Sequence, residues 1–266
     1  MSRLLLIGAG KMATALGTAI AKSGLLPVAD VTAVDVSPQA RENFTRATGI
    51  ACVAEAAPLI PQADILLLAV KPQVAPAVTA ALPPLRAGAL VISICAGIPI
   101  ASLREWLHTG RVIRVMPNTP LMVGKGASCF APGPEATDGD CRFAQRLLGS
   151  AGVAHQVPEE LLDAVTGLSG SGPAYVFELA KAMALAGEQV GLSADISLDL
   201  TLQTIAGAAE MLARRLGSPD ELRDAVTSPN GTTAAGLAVM RDAGFRELIA
   251  KTVIAARDRS IELGRK

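Results

Sequence analysis

Aromatic side chains are scarce in this 266-residue chain, which has one Trp, one Tyr and five Phe. The core must therefore be built from Ala, Val, Leu and Ile, and abundant Ala and Gly favour close approach of helix to helix. Histidine is nearly absent as well, at two residues, and Cys52, Cys95, Cys129 and Cys141 show neither a C-x-x-C spacing nor a cluster with histidine. That excludes the usual zinc and dithiol signatures, implies no metal, and leaves four thiols of a reducing compartment. Neither sign of charge is in excess, with Lys+Arg and Asp+Glu at 24 each, so nothing marks a nucleic acid or an anionic membrane as partner. No apolar run approaches the roughly 18 residues of a membrane span. The apolar stretch before Gly8 is too short for a secretory leader, and the cytoplasm is the expected location.

What is present begins at the amino terminus. An apolar strand over residues 4–7 runs into Gly8, Ala9 and Gly10, followed by a helical pattern led by Met12, Ala13, Ala15, Leu16 and Ile20. This strand, tight turn and helix is the arrangement in which backbone N–H groups at a helix amino terminus accept a pyrophosphate. Gly8 lets the chain turn, Gly10 lets phosphates approach, and Ala13 stands where a third glycine packs helix on strand.

Strand signals then recur at 31–36, 65–70, 89–94, 112–116, 126–130 and 153–157, separated by helical patterns or loops, as a largely parallel sheet requires. After Pro158 the β-branched runs end, and Ala/Leu-rich helices are expected at 174–190, 196–216, 220–226, 232–243 and 245–263. The fold class is α/β: a Rossmann-type dinucleotide-binding domain over 1–158, then an all-helical domain over 159–266. The 196–216 helix is apolar or small on most faces, which predicts burial against a second copy of the chain.

Other strand ends carry the candidate ligand contacts, because ligands of open α/β sheets bind outside the carboxyl ends of strands. Asp35 closes the second strand, where an acid hydrogen-bonds the ribose of NAD and repels the 2′-phosphate of NADP. The next turn offers Ser37 and Arg41 to that phosphate, while Ser37 before Pro38 also reads as a helix cap. Ala69-Val70-Lys71-Pro72, Cys95-Ala96-Gly97 and Met116-Pro117-Asn118 follow three further strands and form the expected nicotinamide-side wall. In the helical half, Pro229 and Gly231 break the chain before a helix starting near Thr232. The N–H groups of Gly231, Thr232 and Thr233 are thereby expected to be free for a carboxylate, with the Thr233 hydroxyl beside them. The alternative is an ordinary cap by Asn230 or Thr232. His108 and His155 read as structural.

GAGKMA, AVKPQ, RVMPNTP, TGLSGSGPAYVF and SPNGTTAAGL, in this order across nearly the whole chain, resemble the pyrroline-5-carboxylate reductase family. The resemblance implies reduction of 1-pyrroline-5-carboxylate to L-proline, the last step of proline biosynthesis, with NADPH or alternatively NADH. It also implies a homodimer through the helical domain, and frequently a higher assembly of dimers. It places Ile7, Gly8, Gly10, Lys11, Met12 and Ala13 around the pyrophosphate and Ser37 near the adenosine ribose or its phosphate. Ala69, Val70, Lys71, Pro72, Ala96, Gly97 and Asn118 fall on the nicotinamide half. Substrate falls to Ser228, Asn230, Gly231, Thr232 and Thr233, with Thr233 as the catalytic candidate. Two departures stand out: Val53-Ala54-Glu55-Ala56 replaces a loop in which the family often carries Asn, and Asn230 replaces a frequent Gly.

Two other functions share parts of this pattern. Hydroxyacid dehydrogenases resemble G-x-G-x-x-x-K at the start of the interdomain helix, but the lysine position is Val176 here. A non-catalytic dinucleotide-binding regulator would keep the fold alone, and turnover with the imine separates it from an enzyme.

Overall fold

The computed structural model describes residues 2–264. Strands β1 (Leu4–Ile7), β2 (Val31–Val34), β3 (Ala51–Val53), β4 (Ile65–Leu68), β5 (Leu90–Ser93), β6 (Val112–Met116), β7 (Gly126–Pro132) and β8 (Gly152–Gln156) form one sheet, in the order β3-β2-β1-β4-β5-β6-β7-β8. Every neighbouring pair is parallel except β6 and β7. The link from Met116 to Gly126 holds only a short 3₁₀ turn, Thr119–Val123, and lacks the crossover helix that a parallel return needs. Strand β3 is absent from the sequence expectation because it is a three-residue edge strand whose Ala51 and Val53 are exposed, so no apolar run announces it.

Helices α1 (Lys11–Ser23), α2 (Pro38–Thr48), α3 (Ala75–Ala80), α4 (Ile100–Leu107) and α5 (Asp138–Gly149) connect the strands. Successive residues of β1 point to opposite faces and supply two cores. Leu4 and Leu6 pack with Leu16, Ile20, Phe44 and Leu147, while Leu5 and Ile7 pack with Leu66, Leu68, Leu103 and Leu107. Small residues close the gaps that few aromatics leave. A Cβ on Gly17 would stand 3.0 Å from Cζ of Phe44, so glycine there lets α1 lie against the ring.

After β8 come α6 (Leu162–Val165), a π-helical turn over Thr166–Gly170, α7 (Gly172–Gln189), α8 (Ala194–Ala213), α9 (Pro219–Ala225), α10 (Thr232–Asp242) and α11 (Phe245–Gly264). The chain forms two compact units, Met1–Ser171 with Ala255–Lys266, and Gly172–Ile254. The change of composition at Pro158 therefore falls inside the first unit. Segment 159–171 packs on the sheet: Leu162 is buried with Ile100 and Ala131, and the Glu159 carboxylate accepts Arg114 Nη1 at 3.0 Å and the Ile100 N–H at 2.7 Å. Ser260 of α11 donates to Asp163 at 2.6 Å in the same unit.

In the second unit, α7 and α8 approach closely where Ser197 Oγ donates to the Ala184 carbonyl at 2.6 Å, beneath Gly187. Apolar side chains elsewhere on these helices stay substantially exposed, among them Phe177, Leu198 and Leu202. No described helix is long and apolar enough to cross a membrane.

Candidate active site

The strand order reverses between β2-β1 and β4-β5, and the glycine turn lies at that reversal. Gly8 adopts φ +103°, and a Cβ on it would stand 2.7 Å from the Ala69 carbonyl oxygen, so the turn is wedged against the exit of β4 and admits only glycine. Its N–H donates to the Val34 carbonyl at 2.8 Å, and the Ile7 carbonyl accepts the Ala69 N–H at 2.8 Å. Gly10 is the N-cap of α1 with no side-chain cap, and a Cβ there would meet nothing within 4 Å. The N–H groups of Lys11, Met12 and Ala13 thus begin a helix in front of open space, as a pyrophosphate requires. Ala13 itself is buried under the turn, and Lys11 is exposed.

At the end of β2, Ser37 caps α2, its hydroxyl accepting the Ala40 N–H at 3.3 Å. The cap reading of Ser37 is thus realised, and its exposed position leaves room for a contact besides. Asp35 has a role that sequence reasoning missed. One carboxylate oxygen accepts the Ala9 N–H at 2.8 Å and the other the Ser37 N–H at 2.9 Å, so the side chain turns back onto the glycine loop. Arg41 donates to the carbonyls of Asp35 and Val36 at 2.9 and 3.0 Å.

On the other side of the reversal, Val70 and Ala69 lead to Lys71, exposed at the start of a 3₁₀ turn over Pro72–Val74. The buried Cys95 thiol lies 3.3 Å from the Val70 carbonyl and ties this loop to the exit of β5. Burial pushes that thiol up, against the smaller effect of its bonds to Ser93 and Val70. Ala96 is exposed and Gly97 half-buried in the following turn. Asn118 is buried, and both ends of its amide are engaged: Oδ1 accepts the Ala127 N–H at 2.8 Å, and Nδ2 donates to the Ser169 carbonyl at 3.2 Å. The expected cofactor residues Ile7, Gly8, Gly10 to Ala13, Ala69 to Pro72, Ala96, Gly97 and Asn118 all belong to the first unit.

The substrate segment belongs to the second unit. Asn230 has φ +57°, a left-handed position that Gly occupies freely and Asn best among other residues, which accounts for either at this point of the pattern. One expectation is corrected: the Gly231 N–H is not free but donates to the Ser228 carbonyl at 3.0 Å, because the turn closes on itself before the helix starts. Gly231 is the N-cap of α10 with no side-chain cap, so neither Asn230 nor Thr232 serves as one. The N–H groups of Thr232 and Thr233 remain, with the Thr233 side chain half-buried beside them. A cavity of about 750 Å³ in this unit, bounded by Thr227, Leu237, Met240 and Phe245, includes none of Ser228, Asn230, Gly231, Thr232 and Thr233.

A reversal of strand order with an uncapped helix terminus at it defines the class, a Rossmann-type dinucleotide-binding protein. Residues 3–97 match the family described as NADP oxidoreductase coenzyme F420-dependent, and residues 159–263 match pyrroline-5-carboxylate reductase dimerisation. The pyrroline-5-carboxylate reductase of Methanosarcina acetivorans is 42% identical over 98% of this chain and 97% of its own. That of Pseudomonas aeruginosa is 42% identical over 98% and 96%. The crystal structure of Plasmodium falciparum pyrroline carboxylate reductase with NADP bound is 31% identical, with a TM-score of 0.86 over 99% of this chain and 98% of that one. The chain belongs to the pyrroline-5-carboxylate reductase family.

Proposed function

We propose that this protein reduces 1-pyrroline-5-carboxylate to L-proline with NADPH, NADH serving as the alternative donor, in the cytoplasm. The observation that carries the reading is likeness over nearly the full length of both chains to reductases of that name, with the glycine turn, the MPNTP loop and the SPNGTT turn all in place. When bound, the reduced dinucleotide supplies the hydride.

The protein's own share is binding and orientation. The N–H groups at the start of α1 hold the pyrophosphate, with Ile7, Gly8, Gly10, Lys11, Met12 and Ala13 around it, and Ser37 receives the adenosine end. Ala69, Val70, Lys71, Pro72, Ala96, Gly97 and Asn118 line the nicotinamide half. At the start of α10, the N–H groups of Thr232 and Thr233 bind the substrate carboxylate, favoured by the positive end of the helix. Ser228, Asn230 and Gly231 fix the turn that presents them. The Thr233 hydroxyl hydrogen-bonds the ring nitrogen. An alcohol is a poor acid, so Thr233 orients an imine already protonated from solvent, and the new C–H bond neutralises that cation.

The helical domain over 159–266 makes a homodimer, in keeping with the match to a dimerisation family and with the exposed apolar faces of α7 and α8. Further assembly of dimers is part of the same proposal. The test is oxidation of NADPH or NADH by the purified protein with the cyclic imine acid present. Turnover with linear 2-keto acids and none with the imine would sink the assignment, and binding without any turnover would mark a regulator.

A further inference from the structure

We propose that Asp35 is a positioning residue that locks the pyrophosphate turn to the adenosine turn, and that its carboxylate does not choose between NADH and NADPH. The proposal rests on the reductase reading above. An acid at the end of the second strand ordinarily accepts the ribose hydroxyls and thereby repels a 2′-phosphate. Here each oxygen already accepts a backbone N–H, one from Ala9 at 2.8 Å and one from Ser37 at 2.9 Å, so the protein's own backbone rather than a ribose fixes where the carboxylate lies. Ala9 lies between the two glycines of the pyrophosphate turn, and Ser37 caps α2, so one side chain ties the pyrophosphate turn to the adenosine turn.

The backbone around Asp35 is held in turn. Its N–H donates to the Val53 carbonyl at 3.1 Å, and its own carbonyl accepts Arg41. The Arg41 bonds at 2.9 and 3.0 Å also keep a cation at the same turn as Ser37, where an incoming phosphate would be attracted. The carboxylate is thus held by two N–H donors of the protein itself, and a guanidinium bonded to the same turn stands where a 2′-phosphate would arrive.

The experiment compares wild type, Asp35→Ala and Asp35→Asn as full-length purified proteins. Fluorescence titration reads the dissociation constants for NADPH and NADH, and hydrogen exchange without dinucleotide reads the amides of Ala9 and Ser37. A positioning role predicts that Asp35→Ala weakens both dinucleotides by about tenfold, with their ratio kept within about threefold. Both amides then exchange faster than in wild type. Asp35→Asn keeps one acceptor oxygen in the same shape and is expected to weaken both by about threefold, and it carries the test where Asp35→Ala does not fold. Selective loss of NADH, a gain for NADPH alone, or amides as slow as in wild type overturns the proposal. A wild type that binds neither dinucleotide overturns the reductase reading itself, an outcome distinct from any of these.

Discussion

Asn118, at the start of the loop after β6, and Ser169, in the π-helical turn 51 residues later, are joined by a hydrogen bond of 3.2 Å from Nδ2 to the carbonyl. The other end of the same amide takes the Ala127 N–H of β7, so one buried side chain sets the spacing of three segments. Asn118→Ala removes both bonds and strands a donor and an acceptor, at roughly 1 to 3 kcal/mol each when buried. The expected results are a melting temperature lower by several degrees and weaker dinucleotide binding. Asn118→Asp replaces the Nδ2 donor and should lose the Ser169 contact while keeping Ala127. Calorimetry of the three proteins checks this, and unchanged melting of the alanine variant contradicts it.

The two glycines of the first turn are expected to fail differently. A methyl on Gly8 meets backbone at 2.7 Å with φ at +103°, so Gly8→Ala should destabilise the protein whether or not dinucleotide is added. Gly10 faces open space at an extended φ of −72°, and Gly10→Ala should melt like wild type. Its methyl would then occupy the approach of the phosphates and weaken dinucleotide binding. Equal behaviour of the two variants would remove the phosphate role from Gly10.

Thr233→Ala and Thr233→Val should bind dinucleotide normally and turn over slowly. One oriented hydrogen bond to a charged group is worth about 1.5 to 3 kcal/mol, or roughly ten- to a hundredfold in rate if made in the transition state. Turnover within about twofold of wild type, with imine affinity unchanged, would leave Thr233 as an ordinary first-turn residue.

Acid stability is expected to depend on Asp140. Burial pushes its carboxyl up, but the Arg111 guanidinium with the Thr137 N–H and hydroxyl outweigh this and hold it below the usual carboxylate range. A carboxyl lowered on folding contributes stability above its unfolded value, about 4, and that contribution is lost as pH falls through the lower folded value. Asp140→Asn should therefore be less stable at neutral pH by about 1 to 3 kcal/mol and show a flatter acid limb. Denaturant melts at several pH values measure both. Parallel acid limbs for the two proteins would place the linkage elsewhere.

The exposed apolar face of α8 carries the assembly prediction. Leu198 and Leu202 lie one turn apart and are 47% and 51% exposed, and each is worth about 1.5 to 3 kcal/mol when fully buried. The double change Leu198→Glu with Leu202→Glu should shift the mass by light scattering from dimer toward monomer at low micromolar concentration. A dimer that persists would move the interface off this face.

The glycine turn was legible because its requirements are local: a strand, a positive φ and a helix start leave a direct mark in residue type. The fully buried strands β1, β4 and β5 were legible for the related reason that strands covered on both faces must be apolar throughout. The roles of Asp35 and Asn118 were not legible in the same way. Each depends on a backbone group distant in sequence, Ala9 for Asp35 and Ser169 for Asn118, and an Asp at a strand end reads equally well as a ribose acceptor. The lost N–H of Gly231 is a third case, since whether a turn closes on its own carbonyl depends on the left-handed residue at Asn230 rather than on any pattern of types.

The chain leaves its first compact unit at Ser171 and returns to it at Ala255, closing with the bond between Ser260 and Asp163. During synthesis the dinucleotide-binding sheet is therefore complete long before the piece of α11 that belongs to it. Residues 172–254 must all emerge first, several seconds or more at about 5 to 20 residues per second. The nascent reductase thus passes through an interval with a finished sheet and an unfinished perimeter. A chain cut between Ile254 and Ser260 would leave that interval permanent, damaging the amino-terminal unit by a loss far along the sequence.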